Sequence, residues 1–170
     1  MKYATATLLL LTAMIPGLAA AETYMFDATC YDSYSKQGGQ QDDLSAKVGT
    51  SIRCDFITLS LLNNGHVLLQ VIDKQSKTTP LGFGGPKLDN DINPKFVTLP
   101  IERIYLPHST NPSNAEAVSG AEGYCFLDGK LNLQKLSSLS CASKIEIGDR
   151  KLIYKINAKI LKLGEVVPGI

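Results

Sequence analysis

The sequence predicts a mainly β protein: a single-domain antiparallel β-sandwich or barrel with one or two short helices in its loops. Short runs rich in isoleucine, valine and leucine recur along the chain, and turn residues separate them. An Asn-Gly pair joins the two clearest of these runs. Such spacing is typical of antiparallel sandwiches and barrels. No internal repeat, low-complexity tract or linker divides the chain.

The N-terminus has the pattern of a cleaved secretory signal peptide. Lys2 provides a positive start, residues 8–15 form a short apolar run, and residues 19–21 are the small alanines of a cleavage site. The apolar run is shorter than the roughly 20 residues that a membrane-spanning helix needs. We therefore expect residues 1–21 to be removed and residues 22–170 to form one exported domain, periplasmic or secreted.

The charge composition argues against a nucleic-acid partner. The chain has 17 lysines and arginines against 16 acidic residues, and loss of Lys2 with the leader makes the two sets equal. Domains that bind nucleic acid are usually strongly basic. The one Asn-x-Ser/Thr triplet, at residues 111–113, has a proline in the middle that blocks glycosylation. This composition fits a bacterial exported protein.

All four cysteines lie after the expected cleavage site, and an even number in an exported protein predicts disulfides. Three pairings are open. Because near neighbours in sequence meet most often, we favour Cys30 with Cys54 and Cys125 with Cys141. No two cysteines have the close spacing of a zinc or thioredoxin-like site. We expect a structural role for them, with no metal ion and no cofactor.

Residues 51–73 predict a β-hairpin. The two apolar runs flank an Asn-Gly turn at residues 63–66, and both central residues of a type I′ turn need positive φ. With a loop of two or four residues, Leu62 lies opposite Val67. Both faces of the pair are then largely apolar, so we expect either the chain's own loops or a partner to cover the second face. The long loops are residues 31–50, 74–95 and 107–123.

Residues 96–106 predict a further extended stretch. Pro100 lacks an amide donor, so it places this stretch at a sheet edge or breaks it in two. The short helices are expected in the loops. Residues 113–116 have the spacing of a capping box, and residues 42–48 are a second candidate.

The C-terminal part predicts a β-meander with turns at residues 128–129 and 148–149. The final run, residues 151–163, alternates apolar and polar residues and so predicts a strand. The same run fits a basic amphipathic helix that lies on a membrane surface. Its isoleucines favour the strand, because β-branched side chains lose rotamer freedom in helices. The lysines that would contact solvent or a membrane surface are Lys151, Lys155 and Lys159.

His66 and His108 are the candidates for a catalytic base, and both lie where turns are expected. A histidine base needs a nucleophile and an orienting carboxylate beside it. The sequence contains neither a G-x-S-x-G elbow nor an H-E-x-x-H pair. We assign no catalytic residue, and a small extracytoplasmic hydrolase that uses one of these histidines is an alternative function.

The glycine-rich segment 81–87 differs from a dinucleotide-binding loop, because the third glycine and the following apolar helix are missing. As a flexible loop it offers a contact surface with exposed anchors. For Phe83 the sequence favours burial against the hairpin over a role as an exposed anchor. The candidate binding residues are Leu81, Phe83, Lys87 and His108.

The function that the sequence favours is binding. We expect a small non-catalytic protein that binds another macromolecule, a protein above all, in the bacterial envelope or outside the cell. Inhibitor, adaptor and accessory roles all fit, with the contact surface on the loops at residues 74–95 and 107–123. A secreted virulence effector that engages host proteins is a second form of the same hypothesis.

Overall fold

The computed structural model describes residues 20–38, 49–76, 80–89, 96–107, 115–129 and 133–168. Within these ranges the chain forms twelve β-strands and one short 3₁₀ helix, Leu133–Lys135. The strands are β1 (Ala20–Cys30), β2 (Tyr34–Gly38), β3 (Thr50–Ser51), β4 (Phe56–Leu62), β5 (Val67–Ile72), β6 (Leu81–Gly85), β7 (Val97–Pro100), β8 (Arg103–Pro107), β9 (Ala115–Ser119), β10 (Glu122–Asp128), β11 (Ser138–Ile147) and β12 (Arg150–Pro168).

The strands form one antiparallel sheet. Its order is β7-β10-β11-β12-β1-β4-β5-β6-β8-β9; the short strand β2 pairs with β12 beside β1, and β3 pairs with β2. Most neighbours in the sheet are also neighbours along the chain, because short turns favour hairpin pairing. The predicted mainly β, antiparallel fold is confirmed.

The break between β7 and β8, residues 101–102, contacts strands from both halves of this sheet order. Pro100 ends β7, as expected for a residue that has no amide donor. The Ile101 amide then donates to the Gly123 carbonyl of β10, whereas the Glu102 amide donates to the Gly84 carbonyl of β6. Two consecutive residues therefore make backbone hydrogen bonds to two different strands, β10 and β6.

The inward side chains of these strands form the core. Phe83 and Tyr154 meet edge to face within it, with their ring centroids 6.4 Å apart. Such aromatic pairs contribute about 1 kcal/mol beyond the area that they bury. The other large, fully buried apolar side chains are Phe26, Ile57, Leu59, Leu69, Leu99, Ile104, Leu127, Leu139, Ile145 and Ile156.

The predicted hairpin is present as β4 and β5, but its predicted register is wrong by one residue. Val67 lies opposite Leu61 instead of Leu62. The Leu62 amide donates to the His66 carbonyl, which leaves a three-residue loop that ends at Gly65. Gly65 has a φ of 81°, the left-handed conformation that closes hairpin loops of this length.

Burial explains the register that the hairpin adopts. Leu59 lies opposite Leu69 and Ile57 opposite Val71, and all four side chains are buried. The predicted pairing would have put Leu59 opposite Gln70. A slip of one residue moves every side chain to the other face, so the core selects the register in which apolar pairs coincide.

The chain itself covers the second face of the hairpin. Tyr105 of β8 packs there with Leu62 and Leu68 in a small apolar cluster. Its ring has room because β6 carries glycine opposite it, where a β-carbon at Gly82 or Gly84 would lie 3.0 Å from Tyr105. The glycine-rich segment thus supplies space for a neighbouring ring.

The helix predicted at residues 113–116 is wrong, because Ala115–Ser119 is strand β9 and pairs with β8. Pairing with β8 gives these residues backbone hydrogen bonds that a single helical turn cannot match. The second candidate helix, residues 42–48, lies outside the described residues. The 3₁₀ turn at Leu133–Lys135 instead lies between β10 and β11.

The final run is a strand, so the amphipathic-helix alternative is wrong. β12 pairs with β11 along one edge and with β2 and β1 along the other. Tyr154, Ile156 and Ala158 point into the core, whereas Lys155 and Lys159 are exposed. This alternation is the one that the sequence predicts for residues 151–163.

The structure contains two disulfides, Cys30–Cys54 and Cys125–Cys141, which are the pairings that the near-neighbour argument favours. They indicate folding in an oxidising environment outside the cytoplasm. Among the described residues, no helix has the length and apolar character needed to cross a membrane. Most of the predicted leader lies outside the described residues, and β1 begins at Ala20. Cleavage before Glu22 stays a prediction.

Candidate functional site

Three of the four predicted contact residues lie within the described residues. Phe83 is fully buried, which confirms the favoured burial and excludes the exposed-anchor alternative. Leu81 is partly buried against the core, and Lys87 alone of the three is exposed. β6 is held between β5 and β8, so the segment is a strand and not a flexible loop. His108 lies outside the described residues.

His66 lies at a small cavity beside the β4–β5 turn. Glu102, Arg103 and Tyr105 also line this cavity. The Nδ1 atom of His66 is buried and has no hydrogen-bond partner among the described residues. The described lining includes no serine, threonine or cysteine that could act as a nucleophile. This arrangement gives little support to the hydrolase alternative.

The most unusual exposed feature is a cluster of three aromatic rings, Phe96, Tyr124 and Phe126, which we call the aromatic face. The Tyr124 and Phe126 rings are nearly parallel, at 29°, with centroids 6.3 Å apart. Phe96 meets Phe126 edge to face at the same distance. Tyr124 is 46% exposed and Phe126 is 38% exposed. Clustered aromatic rings that remain in contact with water are typical of interaction surfaces.

Strand alternation explains why these rings point outward. In β10, Cys125 and Leu127 are fully buried, so the residues beside them, Tyr124 and Phe126, lie on the opposite face of the sheet. Cys125 is bonded to Cys141, which lies directly opposite it on β11. The disulfide therefore joins, from the core side, the two strands beneath the aromatic face.

Small and basic side chains continue the same outer face across the next two strands. Tyr124 pairs with Ala142, which pairs with Lys155, and Phe126 pairs with Ser140. Paired residues of an antiparallel sheet project on one side, so the small side chains of β11 lie between the rings and Lys155 of β12. The exposed residues of this adjoining area are Ser140, Ala142, Lys155 and Lys159.

A hydrogen-bonded corner fixes the far side of this surface. The Asn157 backbone amide donates to the Ser33 hydroxyl, and the single hydrogen of that hydroxyl has the carbonyls of Tyr31 and Asn157 within reach, each 3.0 Å from the hydroxyl oxygen. The Ser140 hydroxyl donates to the Asn157 side chain at 2.8 Å. Asp32, within the corner, has a φ of 45°. The Asn157 side-chain amide also donates to the Asp32 carbonyl. These bonds tie the turn from β1 to β2, with its residue in the left-handed region, to β12.

One exposed ion pair lies at the end of the surface. Glu122 and Lys144 face each other on β10 and β11 with a 2.9 Å contact between their charged groups. The hydrogen bond and the positive charge of Lys144 hold the pKa of the Glu122 carboxyl below its usual value. Glu122 is therefore ionised at neutral pH, and the positive charge of Lys144 balances its negative charge beside the aromatic face.

The aromatic face brings together groups that favour binding. Within the described ranges, no group of three or more His, Cys, Asp or Glu side chains could hold a metal ion. The aromatic face instead offers apolar area, ring faces and nearby ammonium groups. Sequence reasoning missed it, although a signal existed: a disulfide cysteine in a strand points inward, so the aromatic residues on both sides of Cys125 must point outward.

Comparison with known proteins adds no relative to this description. The chain matches no protein-family model, no curated protein and no solved structure. The fold and the exposed surface define the class: a disulfide-braced antiparallel β protein with an outward cluster of aromatic rings.

Proposed function

We propose that this chain is a non-catalytic binding protein that works outside the cytoplasm and contacts a protein partner through the aromatic face. The observation that carries the proposal is the contact of Phe96, Tyr124 and Phe126 with one another on the outer side of the sheet. A role in the bacterial envelope, as an inhibitor, adaptor or accessory subunit, fits this surface. Binding to host proteins after secretion fits it equally.

The composition of the face supports a protein partner. Tyrosine and phenylalanine are enriched in the centres of protein interfaces, where a few such residues supply most of the binding free energy. Ser140 and Ala142 leave the area beside the rings open to a partner side chain. Lys155 and Lys159 border this area, so the expected partner presents an apolar patch with acidic residues at its margin.

The rigidity of the face also supports binding. Tyr124 and Phe126 lie on β10, which is paired on both sides, with β7 and with β11. A preformed surface loses little conformational entropy when a partner binds, so more of the contact free energy appears as affinity. Loops were expected to carry the contacts, but in this surface the strands do.

The test is a matched set of surface variants. The double variant Tyr124→Ser/Phe126→Ser removes two rings of the face, and Leu161→Ser removes a similarly exposed apolar side chain beyond the β11 pairing. Immobilised wild-type and variant proteins are incubated with the extracytoplasmic fraction of the producing cells, and bound proteins are cross-linked and identified. Since a hot-spot residue contributes about 2 kcal/mol or more, we expect the double variant to recover at least tenfold less of the partner than the wild type does.

The control decides what a loss means. Leu161→Ser should retain the partner, and both variants should show the wild-type circular dichroism spectrum. Equal recovery of the partner by the wild type and the double variant would contradict the proposal.

Attachment to a membrane surface is a second candidate, because Lys155 and Lys159 lie on the same side of the sheet as the aromatic face. Aromatic rings beside lysines are typical of membrane–water interfaces. Lys151, the third lysine of the predicted set, is partly buried. Vesicles that contain anionic lipid test this candidate: it requires binding at low salt that weakens at about 0.5 M salt, where the Debye length is only a few ångströms.

A further inference from the structure

β9 is the last strand of the sheet order. In the part of the chain that the structure describes, β9 pairs with β8 alone, so its other edge carries backbone groups without a strand partner. The Gly120 amide donates to Glu102, in the same register as the β8–β9 pairs. Because backbone groups alternate between the two edges, the amides of Ala115, Ala117 and Ser119 point to the open edge.

A second open edge lies beside it. β10 pairs with β11 only as far as Glu122 opposite Lys144, although β11 continues to Ile147. The amides of Gly120 and Ala121 both donate to the Glu102 carbonyl, which draws the chain toward β8 and away from β11. No strand pairing is described between residues 115–119 and residues 145–147, and we call this unpaired stretch the notch.

The notch is not protected in the ways that sheet edges usually are. Natural edge strands commonly carry lysine, proline or a bulge that prevents pairing with another chain. β9 has the sequence Ala-Glu-Ala-Val-Ser, and its register with β8 is continuous. At the other side of the notch, the Ile147 side chain is 38% exposed. Backbone groups and an apolar side chain are therefore both accessible among the described residues.

We propose that β9 binds an extended segment of a partner protein as an additional strand. Backbone hydrogen bonds to Ala115, Ala117 and Ser119 supply the affinity, and an apolar side chain of the segment packs against Ile147 in the notch. Strand addition to an open edge is a general mode of peptide recognition. This surface is separate from the aromatic face and does not depend on it.

A foreign segment fits the notch better than a second copy of this chain. Two copies joined only through β9 would pair five residues with five, which buries far less than the roughly 1,200 Å² of a small stable interface. A longer partner segment can pair with β9 and continue along the notch to Ile147. The partner is therefore a protein with an exposed or disordered extended stretch that contains β-branched residues.

The experiment uses a fluorescent peptide of alternating valine and threonine, with lysine at both ends for solubility. Ala117→Pro removes an amide that points to the open edge and leaves the hydrogen bonds to β8 intact. Ala117→Val keeps the amide and is the matched control. The second probe is the same peptide with alternate amides methylated, so that it cannot donate hydrogen bonds from one edge.

We expect the peptide to bind the wild type and Ala117→Val and to slow amide hydrogen exchange at residues 115–119. Ala117→Pro should weaken binding about tenfold, the upper end of the effect of one lost hydrogen bond. The methylated peptide should bind the wild type no more tightly than the unmethylated peptide binds Ala117→Pro. This second measurement tests the proposal even if the proline variant fails to fold. Tyr124→Ser/Phe126→Ser should bind the peptide normally, which separates this result from the test of the aromatic face.

Three results would overturn the proposal. They are equal binding of the two peptides to the wild type, absence of exchange protection in β9 at saturating peptide, and a dimer in sedimentation that Ala117→Pro converts to monomer. The last result would identify a second copy of the chain as the occupant.

Discussion

Burial changes the acid–base behaviour of one core residue. Burial raises the pKa of the Tyr154 phenol above its usual value of 10.0, because the interior disfavours the charged phenolate. The unfolded chain then loses this proton at a lower pH than the folded chain does. Between those two pKa values the folded state holds more protons, so stability falls as the pH rises above about 10.

The variant Tyr154→Phe tests this coupling. Urea unfolding of the wild type should give a constant free energy from pH 8 to pH 10 and a decline above pH 10, and the variant should show a smaller decline. Tyr24 accounts for part of what remains, since burial, and after it Glu22, raise the pKa of its phenol. An identical alkaline decline in both proteins would show that Tyr154 does not contribute.

Aromatic residues show what the sequence could and could not indicate at the residue scale. Phe83 is buried, as the sequence favoured, but Tyr124 and Phe126, which the sequence did not single out, are exposed. Glycines on both sides of Phe83 indicated a flexible loop, although here they make room for Tyr105. The sequence shows where a glycine lacks a side chain, but only the structure shows which neighbouring side chain occupies that space.

At the scale of elements, the ends of two strands come close together at Gly85. A β-carbon there would collide with the Pro100 carbonyl oxygen, where the end of β6 meets the end of β7. Gly65 differs, because its φ of 81° requires glycine but nothing lies near a β-carbon. The two glycines thus separate steric contact from backbone strain.

Alanine at these two positions should give different losses of stability. Gly65→Ala should cost about 1 kcal/mol, the usual penalty for a left-handed residue with a side chain. Gly85→Ala should cost more, about 3 kcal/mol, because the backbone of β7 must move and the core contacts of Leu99 move with it. Chemical denaturation measures both, and a Gly85→Ala loss no larger than that of Gly65→Ala would contradict this account of the junction.

Pattern predicted some elements and missed others for an identifiable reason. The break at Pro100, the C-terminal meander and the strand at residues 151–163 are confirmed, because each depends on local residue preferences. The β9 strand was missed, since residues 115–119 are extended only through pairing with β8. The aromatic face depends on β7 lying beside β10, and no local signal encodes that pairing.

At the scale of the whole molecule, the two disulfides brace different parts of one sheet. Cys30–Cys54 joins the end of β1 to the approach to β4, and Cys125–Cys141 joins β10 to β11. Their sequence separations are 24 and 16 residues. Loops of this size lose about 3 kcal/mol of unfolded-state entropy in the chain-entropy model.

Removal of either disulfide by paired Cys→Ala substitution should lower the free energy of unfolding by about 3 kcal/mol. Removal of both should lower it by about 6 kcal/mol, a large share of the roughly 5–15 kcal/mol by which small domains are stable. Denaturant titration of the three variants gives the comparison. A loss below about 1 kcal/mol for either single disulfide would show that the sheet does not depend on it.

The sequence by itself determined the strand-rich character of the chain, the positions of its main turns, the break at Pro100 and the favoured pairing of the cysteines. These properties depend on alternation, on turn residues and on short separations along the chain, which act locally. Only the tertiary structure decided the register of the β4–β5 hairpin, the open edge of β9 and the outward cluster of Phe96, Tyr124 and Phe126. The physical reason is that a strand has two faces and two edges, and which of them is buried or paired depends on segments that are distant in sequence.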